Sequence, residues 1–266
     1  MHWLTQRLSF LPNTFLLAWG WQRRFLAILL GALSALSLPP FGISLVLLII
    51  FPCFVWLLDG ALDADARRNG SRFRAGFVLG WLFGFGYFLA GLWWIGAAFL
   101  VEADRFAWLL PFAVLAMPAG LSLFTALGVA LAAMFWSDQF RRILLLAACL
   151  TLADWLRGHI LTGFPWNAFG YGISESLILA QSASLVGIYG LSFLVVAISS
   201  APALLADVKP VGQKVRAVSL AVLAFGAVFT FGIFRVATAD VEYTALDIRI
   251  VQPATPPAPS GQPVSR

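Results

Sequence analysis

Apolar positions fall in seven long runs separated by short polar breaks, at residues 25–38, 41–58, 73–101, 106–136, 143–156, 177–205 and 215–236. Backbone donors and acceptors in lipid must be satisfied within the segment, so uninterrupted apolar runs of this kind predict helices. A membrane barrel would need strict polar–apolar alternation, which the runs lack. The first run is short: its residues, at about 1.5 Å each, fall short of a hydrocarbon core of about 30 Å. Joined to the second run by Pro39-Pro40-Phe41-Gly42, it forms either a full hairpin or a shallow re-entrant one. Both return the chain to its starting side. The reading is an all-α polytopic membrane protein, a bundle of about seven transmembrane helices.

Charge adds orientation. Twelve of the 17 Lys and Arg residues fall in the N-terminal region and the alternate loops on its side, at Arg7, Arg23, Arg24, Arg67, Arg68, Arg72, Arg74, Arg141, Arg142, Lys209, Lys214 and Arg216. Arg105, Arg157, Arg235, Arg249 and Arg266 map to the other side. The positive-inside rule then puts the N-terminus in the cytoplasm and, after seven crossings, the C-terminus in the periplasm. Composition agrees: 61% of residues are hydrophobic, 11% are charged, and mean hydropathy is +0.90. The net charge of +5 is topological on this reading, so no nucleic-acid partner is expected. Arg23-Arg24 before the first run resemble a signal peptide, but no small-x-small cleavage site follows, and a retained first span is expected. Trp19, Trp21, Trp56, Trp108 and Trp136 lie near span ends as an aromatic belt would. Gly76, Gly80 and Gly84 recur every four residues and make a smooth ridge for close helix packing. Cys53 and Cys149 sit inside apolar runs and read as buried hydrophobes; neither a disulfide framework nor a metal site is indicated, and no cofactor is called for.

The stretch 153–171 is the polar exception. Asp154 and Arg157 are three residues apart and share a helix face. They make either a self-satisfied ion pair at a helix end or an anchor in which Arg157 meets a phospholipid phosphate. His159 reads as solvated or capping. Pro165 disfavours helix at Phe164, so Thr162-Gly163-Phe164-Pro165-Trp166 is a fixed aromatic turn, serving as an interface anchor or as the rim of a lipid entry. The candidate lipid-side residues are Arg157, Gly163, Phe164, Pro165, Trp166, Asn167 and Tyr171.

These residues also carry a resemblance. Leu156-Arg157-Gly158, Leu161 to Trp166 and Phe169-Gly170-Tyr171 closely resemble the membrane domain of the apolipoprotein N-acyltransferase family. Leu38-Pro39-Pro40-Phe41-Gly42 is similar to that family's first hairpin turn, and Gly84 to Phe88 with Gly91-Leu92-Trp93-Trp94 to its third span. Gly187 to Phe193 resembles its sixth span, and Ile248 to Pro253 its first extracytoplasmic strand. The resemblance implies a multi-pass protein of the bacterial inner membrane. It implies transfer of an acyl chain from a phospholipid to the α-amino group of the diacylglyceryl-cysteine of lipoproteins, through a thioester on the cysteine of a Glu-Lys-Cys triad. That triad belongs to a nitrilase-like domain which, in the family, follows the seventh span.

On this basis 1–24 is a cytoplasmic segment, 25–238 the transmembrane domain, and 239–266 a truncated start of the nitrilase-like domain. The last piece offers a single strand at 246–250 and a Pro-rich, disordered tail at 253–263. The two lysines map to the cytoplasmic side, the three glutamates to the outer side, and the two cysteines to spans. No catalytic residue is therefore assigned, and the chain is expected to be inactive alone. The alternative is a non-enzymatic membrane scaffold or lipid-binding subunit for a separately encoded catalytic domain. A small transporter ranks below both, because charged residues cluster at span ends.

Overall fold

A computed structural model describes residues 11–64, 69–161, 163–240, 248–249 and 251. Among them every regular element is helical. The long helices are α1 (Gly20–Ser34), α2 (Leu47–Ala64), α3 (Asn69–Leu92), α4 (Leu110–Met134), α5 (Arg141–His159), α6 (Ala183–Ser200) and α7 (Val211–Ala237). Five stretches are long and apolar enough to cross a membrane: Ser44–Asp63, Gly70–Leu100, Ala103–Met134, Ala183–Ala206 and Val211–Ala237. The fold is that of an all-α membrane protein. The other two long helices fall outside that group for visible reasons. α1 has only 15 residues, and α5 carries Arg141, Arg142, Asp154 and Arg157 within its 19.

Glycine decides how closely the helices approach. A Cβ at Gly76 would stand 2.6 Å from the Ala133 Cβ, one at Gly80 2.7 Å from the Val129 Cβ, and one at Gly84 3.0 Å from the Thr125 Cβ. The ridge of α3 therefore lies directly against α4. Contacts at this range give dispersion attraction without needing any polar glue. Gly31 on α1 and Gly86 on α3 meet the facing helix backbone in the same manner. Inside the bundle, Phe54 stacks on Phe83 at 4.3 Å, Phe51 meets Phe169 edge-on at 5.5 Å, and Tyr87 stacks on Phe169 at 5.0 Å. Phe169 belongs to the loop after α5, so the core reaches directly under that loop.

The two ends of the bundle differ chemically. At one end the Arg23 guanidinium donates to the carbonyls of Ala18 (2.7 Å) and Gly60 (3.1 Å), joining the start of α1 to the end of α2. Arg142, 2% exposed, grips Asp207 through both Nη atoms at 2.6 and 3.0 Å. Its Nη2 also donates to Asp59 at 3.3 Å, and Trp136 Nε1 donates to the same carboxylate at 2.8 Å. The loops α4–α5 and α6–α7 and the end of α2 thus converge, and most of the described basic residues lie on this side. The opposite end gathers Leu38, Pro39, the end of α3 and the loop after α5.

Several expectations change. The third apolar run leaves α-helix at Leu92 for a 3-10 stretch, Trp93–Leu100. The sixth is bent at Gly187, whose φ of 65° and ψ of −178° interrupt α6. Trp136 is buried on Asp59, and Trp56 Nε1 donates to the Ala203 carbonyl at 3.1 Å, so both serve internal packing instead of a belt. Trp19, Trp21 and Trp108 are exposed. Of the expected strand 246–250, Ile248 and Arg249 carry no regular structure and the rest lies outside the described residues, as do the tail 253–263 and Arg7.

Candidate lipid-facing site

The site grows from the last turn of α5. Asp154 and Arg157 are 4% and 1% exposed. Burying two charges is costly unless each finds its full set of partners, and here each does. Arg157 Nη2 meets Asp154 Oδ1 at 2.9 Å. Arg157 Nη1 donates to the carbonyls of Phe164 (2.6 Å) and Trp166 (2.5 Å). The guanidinium lies over the Phe88 ring of α3, 5.0 Å from its centroid. Asp154 Oδ2 accepts from the Phe169 amide at 3.1 Å and from Ser192 Oγ at 3.3 Å, and Ser192 Oγ accepts from the Gly170 amide at 2.9 Å. The pair therefore fastens both halves of the loop to α5, with α3 and α6 as backing. Arg157 is 1% exposed and its partners are Asp154 and the loop carbonyls, the arrangement of the ion-pair alternative. It positions the loop.

The loop reverses sharply. The Ile160 amide donates to the Leu156 carbonyl at 2.8 Å, and the Phe164 amide donates to the Arg157 carbonyl at 2.8 Å. Leu161, Gly163 and Asn167 have φ of 55°, 78° and 55°. At Gly163 a side chain faces two obstacles, the positive φ and a collision with the Gly158 carbonyl. Thr162 lies outside the described residues. Pro165 is exposed, and Trp166, 48% exposed, stacks on Trp94 at 5.1 Å and 24°. Phe164 sits behind it, 5.9 Å from the indole. His159 keeps to the surface, its Nδ1 2.7 Å from the Trp155 carbonyl and its ring stacked on Trp155.

Beneath the two indoles is a cleft of about 430 Å³ lined by Leu38, Pro39, Gly91, Trp94, Trp166, Asn167, Tyr171 and Ser174. It is aromatic and apolar on the Trp94 side and hydrogen-bonding on the Asn167–Ser174 side. Asn167 Nδ2 is buried without a hydrogen-bond partner among the described residues. It abuts Gly91, where any Cβ would collide with it. A spare buried donor at a cleft wall is an unmet demand that a ligand oxygen can satisfy.

Of the candidate residues, the cleft brings together Trp166, Asn167 and Tyr171. Gly163, Phe164 and Pro165 shape the turn that carries them. Sequence reasoning did not place Trp94, Gly91, Phe88 or Ser192 here. Their signals were a Trp pair inside one apolar run and one of several serines inside another. Among the described residues no grouping of three or more His, Cys, Asp or Glu side chains is placed to hold a metal ion. Glu102 and Glu175 lie toward the cleft end and Lys209 and Lys214 at the basic end, while Cys53 and Cys149 are buried in α2 and α5.

Comparison with known proteins gives this geometry a family. Residues 30–201 match the model described as the apolipoprotein N-acyltransferase N-terminal domain. The apolipoprotein N-acyltransferase of Rhodopseudomonas palustris is 50% identical over 253 residues, which is 94% of this chain and 46% of that protein. Its counterpart in Bradyrhizobium diazoefficiens is 50% identical over 250 residues, and that in Agrobacterium fabrum 46% identical over 245, again covering 46% of each. The chain spans about half the length of the curated relatives it matches. The whole cleft lies inside the matched residues, and the chain belongs to the apolipoprotein N-acyltransferase family through its N-terminal domain.

Proposed function

We propose that this chain is the membrane-embedded part of an enzyme that moves an acyl chain from a phospholipid to the α-amino group of the diacylglyceryl-cysteine of bacterial lipoproteins. The Trp94–Trp166 cleft is the place where lipid enters. The observation that carries this reading is the cleft itself, a stacked indole platform over a cavity with one apolar wall and one spare amide donor. Indoles favour the headgroup boundary of a bilayer, and the Asn167 amide suits an ester or phosphate oxygen at that depth.

In this reading all seven long helices cross the inner membrane, with the N-terminus cytoplasmic and the cleft periplasmic. The excess of basic residues at the opposite end supports that orientation. Thioester chemistry needs a thiol with a base in hydrogen-bond reach, and the described Glu, Lys and Cys residues lie apart. Acyl transfer is thus assigned to no described residue of this chain. The polypeptide 1–266 alone should not restore lipoprotein N-acylation in a bacterium depleted of its own enzyme; restoration would overturn the assignment. A photoactivatable phospholipid should label the wild-type cleft and label Trp166→Ala several-fold less. Equal labelling would remove the cleft from the reading.

The same separation of residue types favours a second reading, in which the chain is a scaffold for a separately encoded nitrilase-like protein. Co-purification with such a protein from native membranes supports it, and recovery of the chain without one counts against it.

A further inference from the structure

At the basic end of the bundle two cavities run into one another. One, of about 240 Å³, is bounded by the α4–α5 and α6–α7 loops and by the first turn of α7, including Asp138, Asp207, Lys209, Gln213 and Lys214. The other, of about 180 Å³, follows the seam where α5, α6 and α7 meet and is lined almost wholly by apolar side chains. They share Phe140, Leu204 and Ala217. Ala197 on α6 and Ala221 and Ala224 on α7 keep the seam open, because their methyl groups leave a channel that larger side chains would fill. The result is a polar mouth opening into a hydrocarbon slot.

The mouth has a definite charge balance. Asp207 is held by both Nη atoms of Arg142, and Asp138 is taken by Lys209. Lys214 Nζ donates only to the Leu205 carbonyl, at 3.1 Å, and meets no carboxylate among the described residues. Beside it α7 begins at Val211 behind Pro210 without any side-chain cap, so its first amides and the positive end of its dipole face the same space. Arg142 also serves Asp59, so the charges of this end balance; what the mouth offers an anion is the Lys214 ammonium, which meets no carboxylate among the described residues, and the first turn of α7. The slot excludes other occupants: water there would find too few polar partners, and a peptide would leave backbone groups unsatisfied.

We propose that this bipartite cavity is a second lipid site, at the opposite end of the bundle from the Trp94–Trp166 cleft, which seats an anionic glycerophospholipid with its phosphate at Lys214 and the first turn of α7 and one acyl chain in the α5–α6–α7 seam. The site does not depend on the acyl-transfer reading. Its occupant brings the loops α4–α5 and α6–α7 under one headgroup and fills the seam of α7, the least buried of the candidate spans at 6%.

The experiment uses the purified chain in detergent, read by native mass spectrometry against phosphatidylglycerol, diacylglycerol and inorganic phosphate. Phosphatidylglycerol should be retained in preference to diacylglycerol, and excess inorganic phosphate should fail to displace it. Lys214→Glu should weaken retention at least about fivefold, as expected for a basic residue at an anionic lipid surface. Lys214→Arg should preserve it. Ala224→Phe, which fills the slot and leaves the charges alone, should weaken it comparably while melting behaviour stays that of the parent. Parental retention in both Lys214→Glu and Ala224→Phe overturns the proposal. So does equal retention of diacylglycerol, and so does displacement by inorganic phosphate, which would make this a free-anion site.

Discussion

Arg157 Nη1 lies 2.5 Å from the carbonyl oxygen of Trp166, so a fully buried charge at the end of one helix holds an indole at the rim of the cleft. The same guanidinium balances Asp154. Arg157→Ala would leave that carboxylate buried without its counter-charge, a change that costs roughly 3–5 kcal/mol. Arg157→Lys should also fail, since a single ammonium cannot reproduce the planar fork. Thermal melting in detergent should fall for both, and protease cutting within 160–170 should rise. Parental melting in Arg157→Lys would show that charge alone suffices.

Two glycines with positive φ separate strain from crowding. Gly163→Ala must accept φ of 78° and also push aside the Gly158 carbonyl, whereas Gly187→Ala, at φ of 65°, meets nothing within 4 Å. Strain of this kind costs of order 1–3 kcal/mol, and only Gly163 adds a collision. Melting temperatures should rank parent, then Gly187→Ala, then Gly163→Ala. The reverse order would show that the bend in α6 is the more constrained of the two.

The α3–α4 contact makes a sharper test. Gly80→Leu places a branched side chain where even a Cβ would stand 2.7 Å from Val129. Overpacking usually costs about 1–3 kcal/mol, and here two backbones must separate to relieve it. Gly80→Leu should lose the monodisperse peak in size-exclusion chromatography. Gly120→Leu, on the same pair of helices with nothing within 4 Å, should keep it.

At the basic end, Arg142→Ala strands Asp59 and Asp207 together. It should lower stability by about 3–5 kcal/mol, more than Asp207→Asn does. Comparable melting of the two variants would mean that Asp59, through Trp136, holds the end without its arginine.

The exposed Asp138–Lys209 pair should matter little. The Lys209 ammonium, first as hydrogen-bond donor and then as charge, holds the Asp138 carboxyl below its ordinary value. A depressed carboxyl contributes stability above the unfolded-state pKa, about 3.9, and loses it as pH falls through the folded-state value. Any difference between Asp138→Asn and the parent should therefore be small, lie at pH 5 to 8, and vanish in acid conditions where Asp138 is protonated. Exposed pairs are weak because solvent screens them.

How much of this was readable depends on the range of each interaction. The ridge of Gly76, Gly80 and Gly84 was legible because a helix repeats locally, and four-residue spacing already states which face is smooth. Asp154 and Arg157 were legible as neighbours for the same reason. That Arg157 holds the loop was not, because two of its partners are carbonyls of a non-repeating turn. Arg142 was read as an orientation signal at a segment end. Its partners lie 65 and 83 residues away, and nothing in the local pattern announces them. Trp136 was misread likewise: an indole near a span end looks the same in sequence whether it faces lipid or donates to Asp59.

Arg142 stands in the first turn of α5 and Arg157 in its last, and each is locked to other elements. A helix pinned at both ends acts as a gauge of fixed length. At about 1.5 Å per residue the two clamps are held about 22 Å apart. In the seven-span reading, a bilayer thicker than this spacing has to thin around the protein or tilt it, since α5 cannot lengthen without releasing one of two buried charges. The basic floor and the indole rim are thereby kept at a constant separation, whatever membrane surrounds them.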